Sequence, residues 1–299
     1  MFGYANQQMV SRPDTGDRAA VKVASGARSN AVSYWHTLLR AAAVLNLVLW
    51  SLSAVAVTRG PAVLPAAADT TPLVQLLLSA VYVLGCAFRS VLPVYDIPRI
   101  VLVDSRLSSV VVGRSVATVA ELCFAAQWAL ILHHTAVLAH SGFAQAVALA
   151  IMPLIVLAEG YSWYGVLTTS QRGHVVENSI WGLAAALVVA SLLMIGTHRL
   201  MDLYPPMIAW CVGAAAYVAF MFFYDVPMYW SRWRADQASR RRYLRISEGA
   251  VDVCRRWVVS HRWEDWNSEV LWMSLYFTLG VWSSVSLVYA AIALGRHAS

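Results

Sequence analysis

Residues 157–181 read LAEGYSWYGVLTTSQRGHVVENSIW, and this stretch decides how the chain is organised. It ends one apolar run, passes through a short polar turn and begins the next apolar run. Two runs joined in this way are typical of a helical hairpin that crosses a bilayer twice. The polar groups of the hairpin, Glu159, His174 and Glu177, are then expected to meet at one face of the membrane.

The composition of the whole chain is that of a membrane protein. Of the 299 residues, 59% are hydrophobic and only 13% are charged. A soluble globular protein has about 25% charged residues. Several apolar runs also approach the ~20 residues that span a bilayer. The chain is therefore predicted to be all-α and polytopic.

Seven apolar runs are long enough to form transmembrane helices. We place them at residues 41–57, 73–88, 115–138, 143–167, 179–196, 207–224 and 271–294. Residues 1–36 are polar and rich in small residues, and they are predicted to form a disordered cytosolic tail. Residues 37–296 then make up the seven-helix transmembrane domain.

The distribution of basic residues predicts the orientation. With seven spans, 19 of the 22 basic residues fall on the side of the N-terminus, and three fall on the other side. The positive-inside rule then places the N-terminus in the cytosol and the C-terminus outside. The excess positive charge is thus explained by topology, and no nucleic-acid partner is expected. The protein is predicted to be an integral multi-pass protein of the plasma membrane or an internal membrane.

The one long connection, residues 225–267, is predicted to be a cytosolic loop that contains an amphipathic helix. Its apolar positions recur at three- and four-residue spacing: Tyr243, Ile246, Ala250, Val253 and Trp257. Such a helix is expected to lie at the inner leaflet, where the basic segment RRRYLR at residues 240–245 binds anionic lipids. A solvated charge run is the alternative interpretation. A homo-oligomer or a protein partner at this loop also stays open.

Glu159 is the acidic residue whose position is hardest to explain without a role. It lies about eight residues, or ~12 Å, before the predicted end of an inward-running helix, where the helix dipole disfavours an anion. A charged group at such depth costs about 2.5–3.5 kcal/mol on insertion scales. Glu159 therefore needs a partner, and four groups on the same side are available: Arg89, Arg99, Arg114 and His174.

Several further polar residues map to the same third of the membrane. Glu177 and Glu269 are also explained by a favourable interaction between a carboxylate and a helix N-terminus. We predict three catalytic residues: Glu159, Glu121 and His174. We predict five binding residues: Arg89, Arg99, Arg114, Tyr164 and Asp225. Carboxylate and imidazole groups bind divalent metals, and a speculative ligand set is Glu121, Glu159, His174 and Glu177.

Three functions remain open from the sequence. The first is an enzyme that acts on a lipid or amphiphile, with the arginines holding an anionic head group. The second is a proton-coupled small-solute transporter in which Glu159 titrates, although no inverted repeat or pair of broken helices is evident. The third is a non-catalytic membrane subunit or scaffold. A retinal protein is excluded, because no predicted span contains a lysine.

Overall fold

The computed structural model describes residues 15–59, 70–196 and 206–298, and within these ranges the chain is largely helical. Seven helical segments of the described ranges are long and apolar enough to cross a membrane: Asn30–Arg59, Thr71–Val91, Val110–Leu138, Gly142–Thr168, Gln171–Gly196, Ile208–Ala238 and Trp263–Leu294. The predicted all-α, multi-pass architecture with seven spans is confirmed.

The first five spans are single helices, and the last two are interrupted. The single helices are α1 (Thr15–Arg59), α2 (Thr71–Val91), α3 (Val110–Leu138), α4 (Gly142–Thr168) and α5 (Gln171–Gly196). The sixth span comprises α6 (Pro206–Phe220), a π-helical segment (Met221–Asp225) and α7 (Val226–Ala238). A short helix, α8 (Ile246–Arg255), follows it. The seventh span comprises α9 (Trp263–Leu275), a second π-helical segment (Tyr276–Gly280) and α10 (Val281–Ala298).

Helices that follow one another in sequence pack as neighbours. Contacts run from α1 to α2, from α2 to α3, from α3 to α4 and from α4 to α5, and α10 returns to pack on α1, α2 and α3. Short connections favour this arrangement, because they leave antiparallel neighbours in contact. One apolar cluster around Tyr82 and Trp266 joins α1, α2 and the seventh span, and another around Ile151 and Leu192 joins α3, α4 and α5.

The hairpin between α4 and α5 is unusually close. Thr169 ends α4 in the left-handed conformation, with φ 58°. Gly165 and Gly173 then bring the two backbones together, since a Cβ atom on Gly173 would lie 2.5 Å from the Cα atom of Gly165. Small residues allow helices to approach in this way. The first turns of α5, which carry His174, therefore lie directly against the last turns of α4.

A three-stranded sheet covers one end of the bundle. β1 (Val94–Tyr95) pairs antiparallel with β2 (Ile100–Val101), and β2 pairs in parallel with β3 (Val258–Val259). A single 3₁₀ turn (Arg106–Ser108) precedes α3. Two-residue strands are too short to leave an alternating pattern in the sequence. The sheet ties the connection after α2 to the connection after α8.

The predicted amphipathic helix is present as α8, and one side of it packs against the end of α4. Gly249 and Val253 are buried, whereas Ile246 is 56% exposed. A Cβ atom on Gly249 would lie 1.9 Å from the carbonyl oxygen of Leu167 at the end of α4. Only glycine permits so close a contact with the Leu167 carbonyl. α8 therefore packs through Gly249 and leaves part of its apolar face, including Ile246, exposed.

Two predicted boundaries differ from the structure. α1 begins at Thr15, within the range of the predicted tail, and residues 1–14 lie outside the described residues. α7 continues the sixth span to Ala238 and α9 begins at Trp263, so the predicted loop 225–267 is shorter by both helices. The reason is the same in both cases: hydropathy detects the part of a helix in hydrocarbon and not its polar extension.

Candidate functional site

Arg114 of α3 is the centre of a buried ion-pair cluster. Its Nη2 atom lies 2.8 Å from Glu121 Oε2 and 2.6 Å from Glu159 Oε2. The same nitrogen lies 3.5 Å from Glu177 Oε1. These carboxylates belong to α3, α4 and α5, so one guanidinium group connects three helices. The predicted need of Glu159 for a cationic partner is met by Arg114.

Two of the three glutamates accept further hydrogen bonds from neutral groups. The hydroxyl of Thr118 donates to Glu159 Oε2 at 2.6 Å, and Trp163 Nε1 donates to the same hydroxyl at 3.1 Å. The hydroxyl of Tyr276 donates to Glu121 Oε1 at 3.0 Å. Each of these donors orients its carboxylate toward the shared guanidinium group.

His174 and Glu177 form the third branch of the cluster. They lie one turn apart on α5, and His174 Nδ1 is 2.7 Å from Glu177 Oε2. The imidazole ring also packs against Tyr229 of α7, with ring centroids 5.2 Å apart. The two side chains share one face of α5, and the ring contact with Tyr229 links the cluster to the sixth span.

Beside Arg114 lies a partly open cavity of about 90 Å³. Five carboxylates line it: Asp96, Glu121, Glu177, Asp225 and Glu269. Two guanidinium groups line it: Arg89 and Arg114. The aromatic part of the wall comes from Tyr95, Tyr229, Trp272, Tyr276 and Phe277. The cavity is therefore polar, acidic and flanked by aromatic rings.

Part of the cavity wall is built from the two interrupted spans. Asp225 ends the π-helical segment of the sixth span and accepts a hydrogen bond from Asn178 Nδ2 at 2.5 Å. Glu269 of α9 lies 3.5 Å from a guanidinium nitrogen of Arg232 and accepts a hydrogen bond from the Ser268 hydroxyl at 3.1 Å. Tyr276 begins the second π-helical segment. Both irregular segments thus place a polar side chain at the cavity.

Tyr95, in the connection after α2, closes one side of this wall. Burial, reinforced by the neighbouring Glu269 carboxylate, raises the pKa of Tyr95 to about 12. A tyrosine is protonated at neutral pH in any case, and the raised pKa keeps this phenol a neutral hydrogen-bond donor at alkaline pH as well. The cavity therefore gains a donor here without gaining a further negative charge.

Most of the predicted site residues come together, and two lie elsewhere. The cluster and cavity contain Glu121, Glu159, His174, Glu177, Arg89, Arg114 and Asp225. Arg99 is buried below the sheet, where it pairs with Asp252 of α8 and donates to the carbonyl of Val166 at 2.9 Å. Tyr164 is 45% exposed and is not part of the cavity wall.

Three carboxylates of this cluster belong to the predicted metal ligand set. Glu121, Glu159 and Glu177 each offer one oxygen, and these atoms lie within 4.8 Å of one another. Arg114 Nη2 already occupies the space between them at 2.6 to 3.5 Å. The guanidinium group supplies the counter-charge that a divalent ion would otherwise provide. These three glutamates and His174 therefore stay a predicted ligand set, with the Arg114 guanidinium group beside it in this structure.

The sequence-based selection did not include several residues that line the cavity or lie beside it: Asp96, Gln171, Tyr229, Arg232 and Glu269. Glu269 could have been selected, because it is acidic and lies at the predicted cytosolic end of an apolar run. Its position was explained equally well by the favourable interaction of a carboxylate with a helix N-terminus. The other four lie in a connection, in a turn or in the predicted loop. Nothing in their local pattern indicates that they converge.

Comparison with protein-family models, curated proteins and solved structures finds no match to this chain. The protein is a multi-pass helical membrane protein with a buried cluster of carboxylates and arginines. Because a bundle of seven spans is compatible with many activities, the site itself must carry any functional argument.

Proposed function

We propose that this protein is a proton-coupled transporter of a small cationic solute, with the acidic cavity as its binding site. The observation that carries the proposal is the acid excess, since five carboxylates and two guanidinium groups line the cavity. Like charges a few Å apart in a buried site do not all stay ionised without a counter-charge. The cavity therefore takes up protons, a cation, or each in turn.

Asp225 is the carboxylate best suited to this exchange. Among the described residues, no cationic group lies within 4.0 Å of Asp225, and its carboxylate accepts a hydrogen bond from the neutral amide of Asn178. Glu159, by contrast, is held by Arg114 and is not part of the cavity wall. In this proposal Asp225 binds either a proton or the solute, and Glu159 keeps Arg114 in place.

The irregular helices support movement next to the site. π-helical segments are uncommon and occur often at functional sites. The two segments, Met221–Asp225 and Tyr276–Gly280, both contribute to the cavity wall. Transporters commonly bind their substrates where two spans depart from regular helix. The two π-helical segments make the sixth and seventh spans a pair of irregular helices, and the sequence alone does not indicate this irregularity.

The hypothesis of a lipid-modifying enzyme has less support from the same geometry. It requires arginines that are free to hold an anionic head group. Arg114 is shared by three glutamates, Arg99 is paired with Asp252, and Arg89 donates to the backbone carbonyls of Gly113 and Val94. An anion in the cavity would also meet the excess of carboxylates, which repels it.

Proton flux in liposomes tests the proposal. The full chain is reconstituted around a pH-sensitive dye, and gradients of guanidinium, sodium and potassium are applied in turn. We expect at least one cation to drive protons in the opposite direction. Asp225→Asn should abolish this flux, because the amide cannot exchange a proton at neutral pH.

Asp236→Asn is the matched control, because Asp236 lies on the same span but outside the cavity, where it pairs with Arg241. It should leave the flux unchanged. The proposal fails if the wild-type protein moves no protons with any of the three cations. It fails equally if Asp225→Asn retains the wild-type rate.

A further inference from the structure

Unpaired polar atoms in the cavity wall indicate a ligand that donates hydrogen bonds. Gln171 is 6% exposed, and its Oε1 atom has no hydrogen-bond partner among the described residues. Asp96 Oδ1 is buried and unpaired in the same way. Two donors of the wall, Arg89 Nε and Arg114 Nε, are also unpaired and suit water or an acceptor group on the ligand. Buried polar atoms are nearly always satisfied, so this wall is incomplete without an occupant.

The rest of the wall has the composition of a site for an organic cation. Asp225 and Glu269 provide negative charge, and Tyr229 and Trp272 provide aromatic rings beside it. A cation over an aromatic face is attracted by the ring quadrupole. Hard metal cations instead prefer six or more oxygen ligands, which rings do not supply.

Arg232 already places a guanidinium group in these surroundings. Its Cζ atom lies 5.3 Å from the ring centroid of Tyr229 and 5.9 Å from that of Tyr95. One guanidinium nitrogen lies 3.5 Å from Glu269, and the side chain is 23% exposed. Its three partners, Tyr229, Tyr95 and Glu269, all line the cavity, whereas Arg232 itself is not one of the lining residues.

From these contacts we propose that the cavity binds a small organic cation with N–H groups, of the guanidinium or primary ammonium class, and that Arg232 competes with it for Glu269 and the two tyrosine rings. This inference rests on the proposed function, because it names the substrate class of the same site. Solute binding then requires the Arg232 side chain to leave Glu269. That side chain belongs to α7 and lies seven residues after the π-helical segment, which ends at Asp225.

The cavity volume limits the size of the cation. A water molecule needs about 10–15 Å³ of such volume, so a cavity of about 90 Å³ holds several waters or a solute of similar bulk. Guanidinium and methylammonium fit this limit and carry N–H donors for Gln171 and Asp96. Tetramethylammonium has the same charge but no N–H group, so it leaves both acceptors unpaired.

Equilibrium binding to the purified full-length protein in nanodiscs tests the inference. The probes are guanidinium, methylammonium and tetramethylammonium, each followed by the fluorescence of the tryptophans or by calorimetry. We expect the first two to bind competitively and tetramethylammonium to bind at least tenfold more weakly. If Arg232 occupies the site for about nine-tenths of the time, Arg232→Gln tightens guanidinium binding about tenfold.

Arg234→Gln is the matched control, since Arg234 lies on the same helix, is exposed and loses the same charge. It should change guanidinium affinity less than twofold. Equal effects of the two variants would show that Arg232 acts only through net charge, and equal binding of tetramethylammonium and guanidinium would overturn the N–H requirement. If the reconstituted protein still exchanges cations for protons in either of these cases, the proposed function stands and only this inference is refuted.

Discussion

Arg114 provides the sharpest test of the buried cluster. Its Nη2 atom lies within 2.6 to 3.5 Å of oxygens from Glu121, Glu159 and Glu177, and the Arg114 side chain is 7% exposed. Arg114→Gln removes the positive charge and leaves a shorter, neutral polar side chain. The three carboxylates then face one another without their common counter-charge. We expect this variant to be the most destabilising single change in the polar core.

The size of the effect follows from the burial of the pairs. Removing one partner of a buried ion pair costs about 3–5 kcal/mol, because it leaves the other charge uncompensated. Each glutamate keeps one further hydrogen-bond donor, which limits the loss: Tyr276 for Glu121, Thr118 for Glu159 and His174 for Glu177. We therefore expect the free energy of unfolding to fall by about 3–5 kcal/mol.

Unfolding in mixed micelles, followed by tryptophan fluorescence, measures this loss. Arg242→Gln is the control, because its side chain is 81% exposed and its pair with Glu248 should contribute about 0–1 kcal/mol. Adding Glu159→Gln to Arg114→Gln should restore part of the stability, with an interaction energy of about 0.5–3 kcal/mol. If Arg114→Gln costs no more than Arg242→Gln, or if the two cluster substitutions are simply additive, then the shared guanidinium does not hold the helices.

Two further predictions concern packing away from Arg114. Gly249→Val places side-chain atoms against the Leu167 carbonyl, 1.9 Å from the nearest possible Cβ position, so α8 should separate from α4 and become more sensitive to trypsin. Gly160→Val, which meets nothing within 4 Å, should leave the cleavage rate unchanged. Ser284→Ala removes the hydroxyl that donates to Gln127 Oε1 at 2.5 Å and should lower the free energy of unfolding by about 1–3 kcal/mol. An unchanged unfolding curve would show that Gln127 finds another donor.

The spans and the partner of Glu159 are predictable for the same physical reason. Hydrocarbon excludes charge so strongly that a long apolar run has few alternatives to a transmembrane helix. The same cost makes a carboxylate deep in a span require a cation nearby. Arg114 was one of four candidates, and the packing of α3 against α4 selects it. The depth of a carboxylate in its span can be predicted from the local sequence, but which cation pairs with it depends on how the helices pack.

The cavity could not be read from the sequence, because its walls come from distant segments. Asp96 follows α2, Asp225 ends a π-helical segment and Glu269 lies in α9. Each residue has an ordinary local explanation, and only the tertiary arrangement reveals five carboxylates around one space. The π-helical segments are equally hidden, since MFFYD and YFTLG look like any apolar stretch of a span.

The two sides of the cavity differ in construction, and this difference bears on how a transporter could work. On one side, Arg114 ties together three regular helices, α3, α4 and α5, through ion pairs to each. On the other side, Asp225 and Glu269 lie on the two spans that contain π-helical segments. A proton or cation that binds Asp225 or Glu269 changes the charge on the irregular spans, which reach the Arg114 cluster through the hydrogen bond from Tyr276 to Glu121. The proposed mechanism therefore assigns movement to the sixth and seventh spans, while the Arg114 cluster keeps the remaining wall fixed.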